Sequence, residues 1–438
     1  VLVGFSKTVV IAVAASLLGA GALRAQQAQP RWKDRAEYDL AQAAQNEKDP
    51  HKRLELLNQW KEKYPNSEVQ ATRLYLFLTT YQALNQPLKV YETAKEMAAL
   101  DASNVNARYF ICVLGPTLTK PTPEDFDTID KAAKSLLASL DTAFAPDKRP
   151  QNLSEQDWKK RRVEAEALAY KAEGWVAMQK KENDRAETAL RKSLELNPES
   201  GDIAYWLGTM LLAEKRPEKN SDAIFFFARA AYYDGPGSLN PQGRTAVTNY
   251  IEKLYKSFHG SDEGLDDLRK LAKAQALPPA DFKVKSSAEI ALEQEEKLKK
   301  ENPALALWLN IKRELTGPGG DAYWGNMKGA LIPGDAVPGV TKLKGKLVSQ
   351  KPPKNPKELV LAMSDGITPE VTLVLDEPLR GAAEAGTEIS FEGIATNFTK
   401  DPFMLTFEVE KAKLVGWPAP APPAKKAPVR KKAPARKK

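Results

Sequence analysis

Residues suited to catalysis or metal binding are scarce: the 438-residue chain has two histidines, His51 and His259, and one cysteine, Cys112. A zinc site of the Cys/His kind takes four ligands. These three lie far apart in sequence and cannot supply one, and a lone cysteine forms no intramolecular disulfide. No G-x-S-x-G, P-loop, G-x-G-x-x-G or H-E-x-x-H pattern is present. His51 follows Asp49-Pro50 at a helix start and His259 sits in a Phe-His-Gly helix end, exposed terminus positions that do not suit a Ser-His-Asp apparatus. Carboxylates are abundant, at 57, yet no spacing singles out a dyad. The expectation is a protein that is not an enzyme and needs no cofactor or metal. Cys112, between Ile111 and Val113, reads as a small buried hydrophobe; a reactive thiol or an intermolecular disulfide is the alternative.

The charge has one source. The formal net charge is +8, and Lys425, Lys426, Arg430, Lys431, Lys432, Arg436, Lys437 and Lys438 supply that amount with no acid among them. Residues 418–438 are almost entirely Pro, Ala, Lys and Arg. They cannot bury a core and they repel one another, so a disordered, extended arm is expected. Such an arm attracts polyanions: an anionic lipid surface, an acidic envelope polymer or, less suitably, nucleic acid. A purely solubilising tail is the competing explanation.

At the opposite end, Lys7 precedes an apolar run from Val9 to Leu18, and small residues lead to Leu23-Arg24-Ala25. This reads as a signal peptide over 1–25, which predicts a periplasmic or secreted protein of the bacterial cell envelope. A membrane anchor is the alternative, but the run is about half the roughly 20 residues a spanning helix needs.

A 42% hydrophobic fraction is too apolar for a chain disordered throughout, so the elements between these ends must fold. Gly174 in Leu168-Ala-Tyr-Lys-Ala-Glu-Gly174 and Gly208 in Ala204-Tyr-Trp-Leu-Gly208 are 34 residues apart. After Gly174 come Ala186, Leu190, Ser193 and Pro198. After Gly208 an Arg216-Pro-Glu-Lys-Asn insert moves the second helix to Ala223, Phe227 and Ala230. Weaker units have Ala41, Leu78 and Cys112 in the place of the glycines, the last two again 34 residues apart. This pattern resembles the tetratricopeptide repeat over roughly 31–236, with two close matches and three degenerate ones. The resemblance implies stacked helix pairs with small residues where the helices touch. It also implies a concave groove lined by the first helix of each pair.

Counting back three from each small-residue position gives Tyr38, Tyr75, Tyr109, Lys171 and Tyr205. By the resemblance this place borders the groove, a ladder of amphipathic side chains suited to a protein or peptide partner. Packing alone also explains tyrosine there. Trp175, Met178 and Thr209 are the further groove candidates.

From 237 to 315 helical patterns continue without a repeat and are expected to cap the array. Residues 316–340 are rich in Gly and Pro and read as a linker. Alternation then begins: Leu343, Gly345 and Leu347 against Lys342, Lys344 and Lys346. Glu358–Met363 and Glu370–Leu375 are apolar runs bounded by Pro and Gly, Glu388–Gly393 and Met404–Glu410 alternate again, and Ala412–Trp417 is expected to close the sheet. Short strands over 341–417 fit a small barrel, with a pattern-level resemblance to the OB type. Its strands carry Glu388, Glu392, Glu408 and Glu410, and Phe391 and Phe407 share the phase of the core, which disfavours an oligonucleotide face.

The expected architecture is multidomain α + β: an N-terminal α-solenoid of helix pairs, a C-terminal small all-β, OB-like barrel and a disordered basic tail. The expected function is that of an exported interaction scaffold. Carbohydrate or nucleic-acid binding through the barrel and tail is the alternative.

Overall fold

The structure, a computed structural model, describes residues 32–418. They form two compact units that meet in sequence at Ser286 and Ser287. The leader at 1–25 and the basic residues of the tail lie outside the described residues.

Twelve helices make up the described part of the first unit. They are α1 (Arg35–Asn46), α2 (Pro50–Lys63), α3 (Gln70–Ala83), α4 (Pro87–Leu100), α5 (Val105–Leu114) and α6 (Pro123–Ala143). After these come α7 (Glu155–Gln179), α8 (Asn183–Leu196), α9 (Gly201–Ala213), α10 (Asn220–Tyr232), α11 (Pro241–His259) and α12 (Leu265–Ala274). Each helix from α1 to α10 packs on its successor, and the first helices of adjacent pairs also meet, α1 on α3 and α5 on α7. The starts are written locally. Proline occupies the first turn of α2, α4, α6 and α11, where its missing N–H costs nothing. Asp34, Asn104, Ser154 and Asn240 cap backbone N–H groups, and Thr122 with Asp125 forms a reciprocal capping box.

The 34-residue period has a physical basis. A Cβ on Gly174 would lie 2.6 Å from Leu190 Cγ and 3.1 Å from the Leu190 backbone nitrogen. A Cβ on Gly208 would lie 2.9 Å from Phe227 Cγ and 3.1 Å from the Phe227 nitrogen. The two glycines therefore mark the same close approach of paired helices. Seven residues after Gly174, Gly208 and Leu78 stand Lys181, Lys215 and Asn85, which turn the chain in the left-handed region at φ 60, 55 and 52°. The insert after Gly208 is a short 3-10 turn, Pro217–Lys219. In the pair α5/α6 the tight approach moves to Gly115, where a Cβ would meet Ile129 at 2.5 Å. Cys112 is fully buried, as expected of a small hydrophobe, and that burial pushes its thiol pKa up. The first helix of the best-matched unit begins at Glu155, a dozen residues before the repeat pattern does. Trp158 extends it by filling the core beside Phe144, its indole N–H donating to the Phe144 carbonyl at 3.0 Å.

The second unit holds α13 (Ser287–Glu301), α14 (Pro303–Thr316) and α15 (Gly320–Met327). Its strands are β1 (Leu331–Ile332), β2 (Leu343–Lys351), β3 (Glu358–Ala362), β4 (Val371–Leu375), β5 (Glu388–Phe391), β6 (Gly393–Lys400) and β7 (Phe403–Val409). The sheet order is β1-β6-β7-β4-β3-β2-β5, antiparallel except for β4 with β7. Only Glu392 separates β5 from β6, so one bent segment pairs with β2 through its first half and with β7 through its second. Gly393 permits that bend, because a Cβ there would lie 2.6 Å from Val409 Cγ2. The result is a curled sheet, the OB-like arrangement expected of the strand pattern.

Three boundaries differ from expectation. The 237–315 capping segment is divided: α11 and α12 belong to the first unit, whereas α14 puts Leu307, Trp308, Ile311 and Leu315 into one core with Leu343, Leu361, Val371, Phe391 and Phe407. The 316–340 linker contains α15 and β1. Ala412–Trp417 is a 3-10 turn and one bridge from Val415 to Ser390 rather than a strand, and the unanticipated β6 takes the vacant edge of β7. Its Thr, Asn and Lys residues and the register shift between Ala395 and Asn397 hide it from an alternation test.

Candidate functional site

The expected ladder residues lie on first helices of the pairs but do not form one row. Tyr38 is half-buried on α1, edge-on to Trp32 at 5.4 Å and under the Arg35 guanidinium at 5.1 Å. Tyr75 on α3 is 45% exposed. Tyr109 on α5 packs edge-on to Phe110 at 5.6 Å; burial first, then the Glu164 carboxylate, raises its phenol pKa. Ring contacts thus tie Tyr38 and Tyr109 to their own neighbours rather than to each other.

At α7 and α9 the candidates do converge. Lys171 donates from Nζ to Asp202 Oδ2 at 2.5 Å and lies 5.4 Å from the centre of the Trp206 ring. Its charge is matched within the chain, so this position offers a covered cation. Tyr205 is half-buried and edge-on to Phe227 at 6.1 Å. Thr209, one turn on, is exposed and donates its hydroxyl to the Tyr205 carbonyl at 2.8 Å. Met178 is partly buried where two of the unit's core clusters meet. Trp175 departs from the groove expectation: it is buried, its ring 5.6 Å from Phe126, because the face of α7 that carries it feeds the core.

Two aromatic residues escaped the sequence reading. Trp206 is half-buried under Lys171. Tyr250 on α11 is 45% exposed and lies 5.0 Å from Phe227. Burial, then the neighbouring Tyr205 phenol, raises the Tyr250 pKa. Tyr205, Phe227 and Tyr250 therefore form one aromatic step across α9, α10 and α11. The Ala204-Tyr-Trp-Leu-Gly208 segment advertised Trp206, whereas Tyr250 lies beyond the last repeat and had no positional signal.

Elsewhere in the first unit, a cavity of about 780 Å³ opens between α4 and the segment leading into α6. Tyr91 donates its hydroxyl to Asp125 Oδ1 at 3.0 Å and Lys95 lies 3.2 Å from the same oxygen. Burial alone would raise the Asp125 pKa, but bonds from Thr122, Lys95 and Tyr91 outweigh it and hold the carboxyl at about 2. This carboxylate is fixed rather than poised for proton transfer. His51 is exposed at the first turn of α2, and His259 is half-buried with Nδ1 2.8 Å from the Lys285 carbonyl. Among the described residues no group of three or more His, Cys, Asp or Glu could hold a metal ion.

On the curled sheet, exposed charges are largely paired. Lys344 meets Glu388 at 2.9 Å, Lys413 meets Glu392 at 2.6 Å, and Lys342 donates to the Lys413 carbonyl at 2.6 Å. Glu408 and Glu410 are exposed, and Phe391 and Phe407 are buried against each other at 5.3 Å. The outward residues of β3, β4 and β7, among them Val360, Thr372, Val374 and Thr406, include no stacking aromatic. Lys425, Lys426, Arg430, Lys431, Lys432, Arg436, Lys437 and Lys438 lie outside the described residues. No family model matches the chain, and no curated protein matches it.

Proposed function

We propose that this chain is an exported, non-catalytic scaffold of the tetratricopeptide kind. The first-helix side of its array holds a protein or peptide partner, and its basic tail adheres to anionic components of the cell envelope. One observation carries the reading: Gly174 against Leu190 and Gly208 against Phe227 repeat a single helix-pair geometry at the 34-residue spacing. Stacked pairs of that kind leave their first helices with a shared outer face, and Tyr75, Tyr109, Tyr205 and Thr209, each on a first helix, are at least partly accessible. Tyrosine contributes large contact area with few rotatable bonds to freeze, which favours capture of an extended partner. The ion pairs of Lys344 and Lys413 and the lack of an outward aromatic on β3, β4 and β7 weigh against carbohydrate or nucleic-acid binding as the main role of the curled sheet.

The test is capture of a partner by the mature chain from its own envelope extract, in the parent and in a Tyr75→Ala/Tyr109→Ala variant. At least tenfold weaker recovery with unchanged helicity is expected. Equal recovery would move recognition off this face.

A further inference from the structure

We draw no further inference here: the strongest candidate, the cavity of about 780 Å³ between α4 and the segment leading into α6, is bordered by carboxylates that already have lysine partners, Glu92 with Lys89, Glu96 with Lys61 and Asp125 with Lys95, and nothing in the structure shows what fills it.

Discussion

Among the described residues, the helical unit has three buried charges, Glu37, Arg73 and Arg229, and many half-buried cross-ties besides, whereas Glu370 is the one buried charge of the curled-sheet unit. In the helices the ties are distributed. Arg185 joins Asp130 of α6, Glu173 of α7 and Glu182. Arg191 joins Glu187 and Asp222, and Lys219 returns to Glu187 at 2.6 Å, linking α8 to α10. In the sheet unit one carboxylate gathers the ties. Glu370 is buried and accepts from Lys312 Nζ at 2.5 Å, the Met363 and Ser364 backbone N–H groups at 2.9 and 2.7 Å, and the Ser364 hydroxyl at 2.8 Å. A stack of similar pairs can repeat a modest cross-tie at each junction. A curled sheet filled by one helix instead fixes α14 against the turn after β3 at a single point. The difference predicts where each unit is brittle.

The largest effect is expected at that point. Glu370→Ala leaves two backbone N–H groups and Lys312 without their acceptor and should cost about 3 kcal/mol, the low end for a broken buried pair because Lys312 keeps some solvent access. Segment-resolved hydrogen exchange should show the loss in 287–418 and spare 32–286. Equal loss in both would erase the contrast. Gly208→Ala comes next, at about 2 kcal/mol: overpacking against Phe227, including its backbone nitrogen, is partly offset by alanine's better helix propensity. Here protection should fall around α9 and α10 and persist in the sheet.

Acid should sharpen the comparison. Glu370 has a lowered folded pKa: burial, which would raise it, is outweighed by the Lys312, Ser364 and Met363 bonds. The unfolded chain therefore takes up the proton first as pH falls, and the stability held above about pH 4.5 drains away below it. Asp125, held at about 2, gives the helical unit the same sign over the window from ordinary carboxylate values down to about 2. Melting temperatures of the sheet unit between pH 6 and 3 should fall less steeply in Glu370→Gln than in the parent, from a lower starting value. Parallel curves would show that Glu370 is not the acid-sensitive tie. The smallest effect belongs to Lys171→Ala, whose half-exposed pair with Asp202 should contribute under about 1 kcal/mol, measured by denaturant unfolding.

Much of the fold, though not the charge ties, was legible in the sequence. Gly174 and Gly208 declared their role by their 34-residue spacing, a Cβ at either would lie within 3 Å of Leu190 or Phe227, and the phase extends to the turns at Lys181 and Lys215. The strands β2, β5 and β7 followed from alternation, β3 and β4 from apolar runs bounded by Pro and Gly, and the burial of Phe391 and Phe407 from their phase. Periodicity cannot say which core an amphipathic helix feeds, so α14 was assigned to the array although Trp308 and Ile311 pack under the sheet. Glu370 entered the sequence reading only as the start of an apolar run, because its four donors come from distant positions and from local turn geometry. Trp175 and Tyr205 are both aromatic residues on first helices, yet one is buried and the other partly accessible. Tyr250 had no repeat to place it.

The proposed docking role of the first-helix side is tested most directly by site-specific photo-crosslinking in the cell that makes the chain. A benzophenone side chain replaces either Thr209, exposed one turn from Tyr205, or Ile367, 78% exposed on the turn after β3. A discrete protein adduct from position 209 and none from 367 is the predicted result. Adducts from 367 alone would contradict it and assign recognition to the curled sheet.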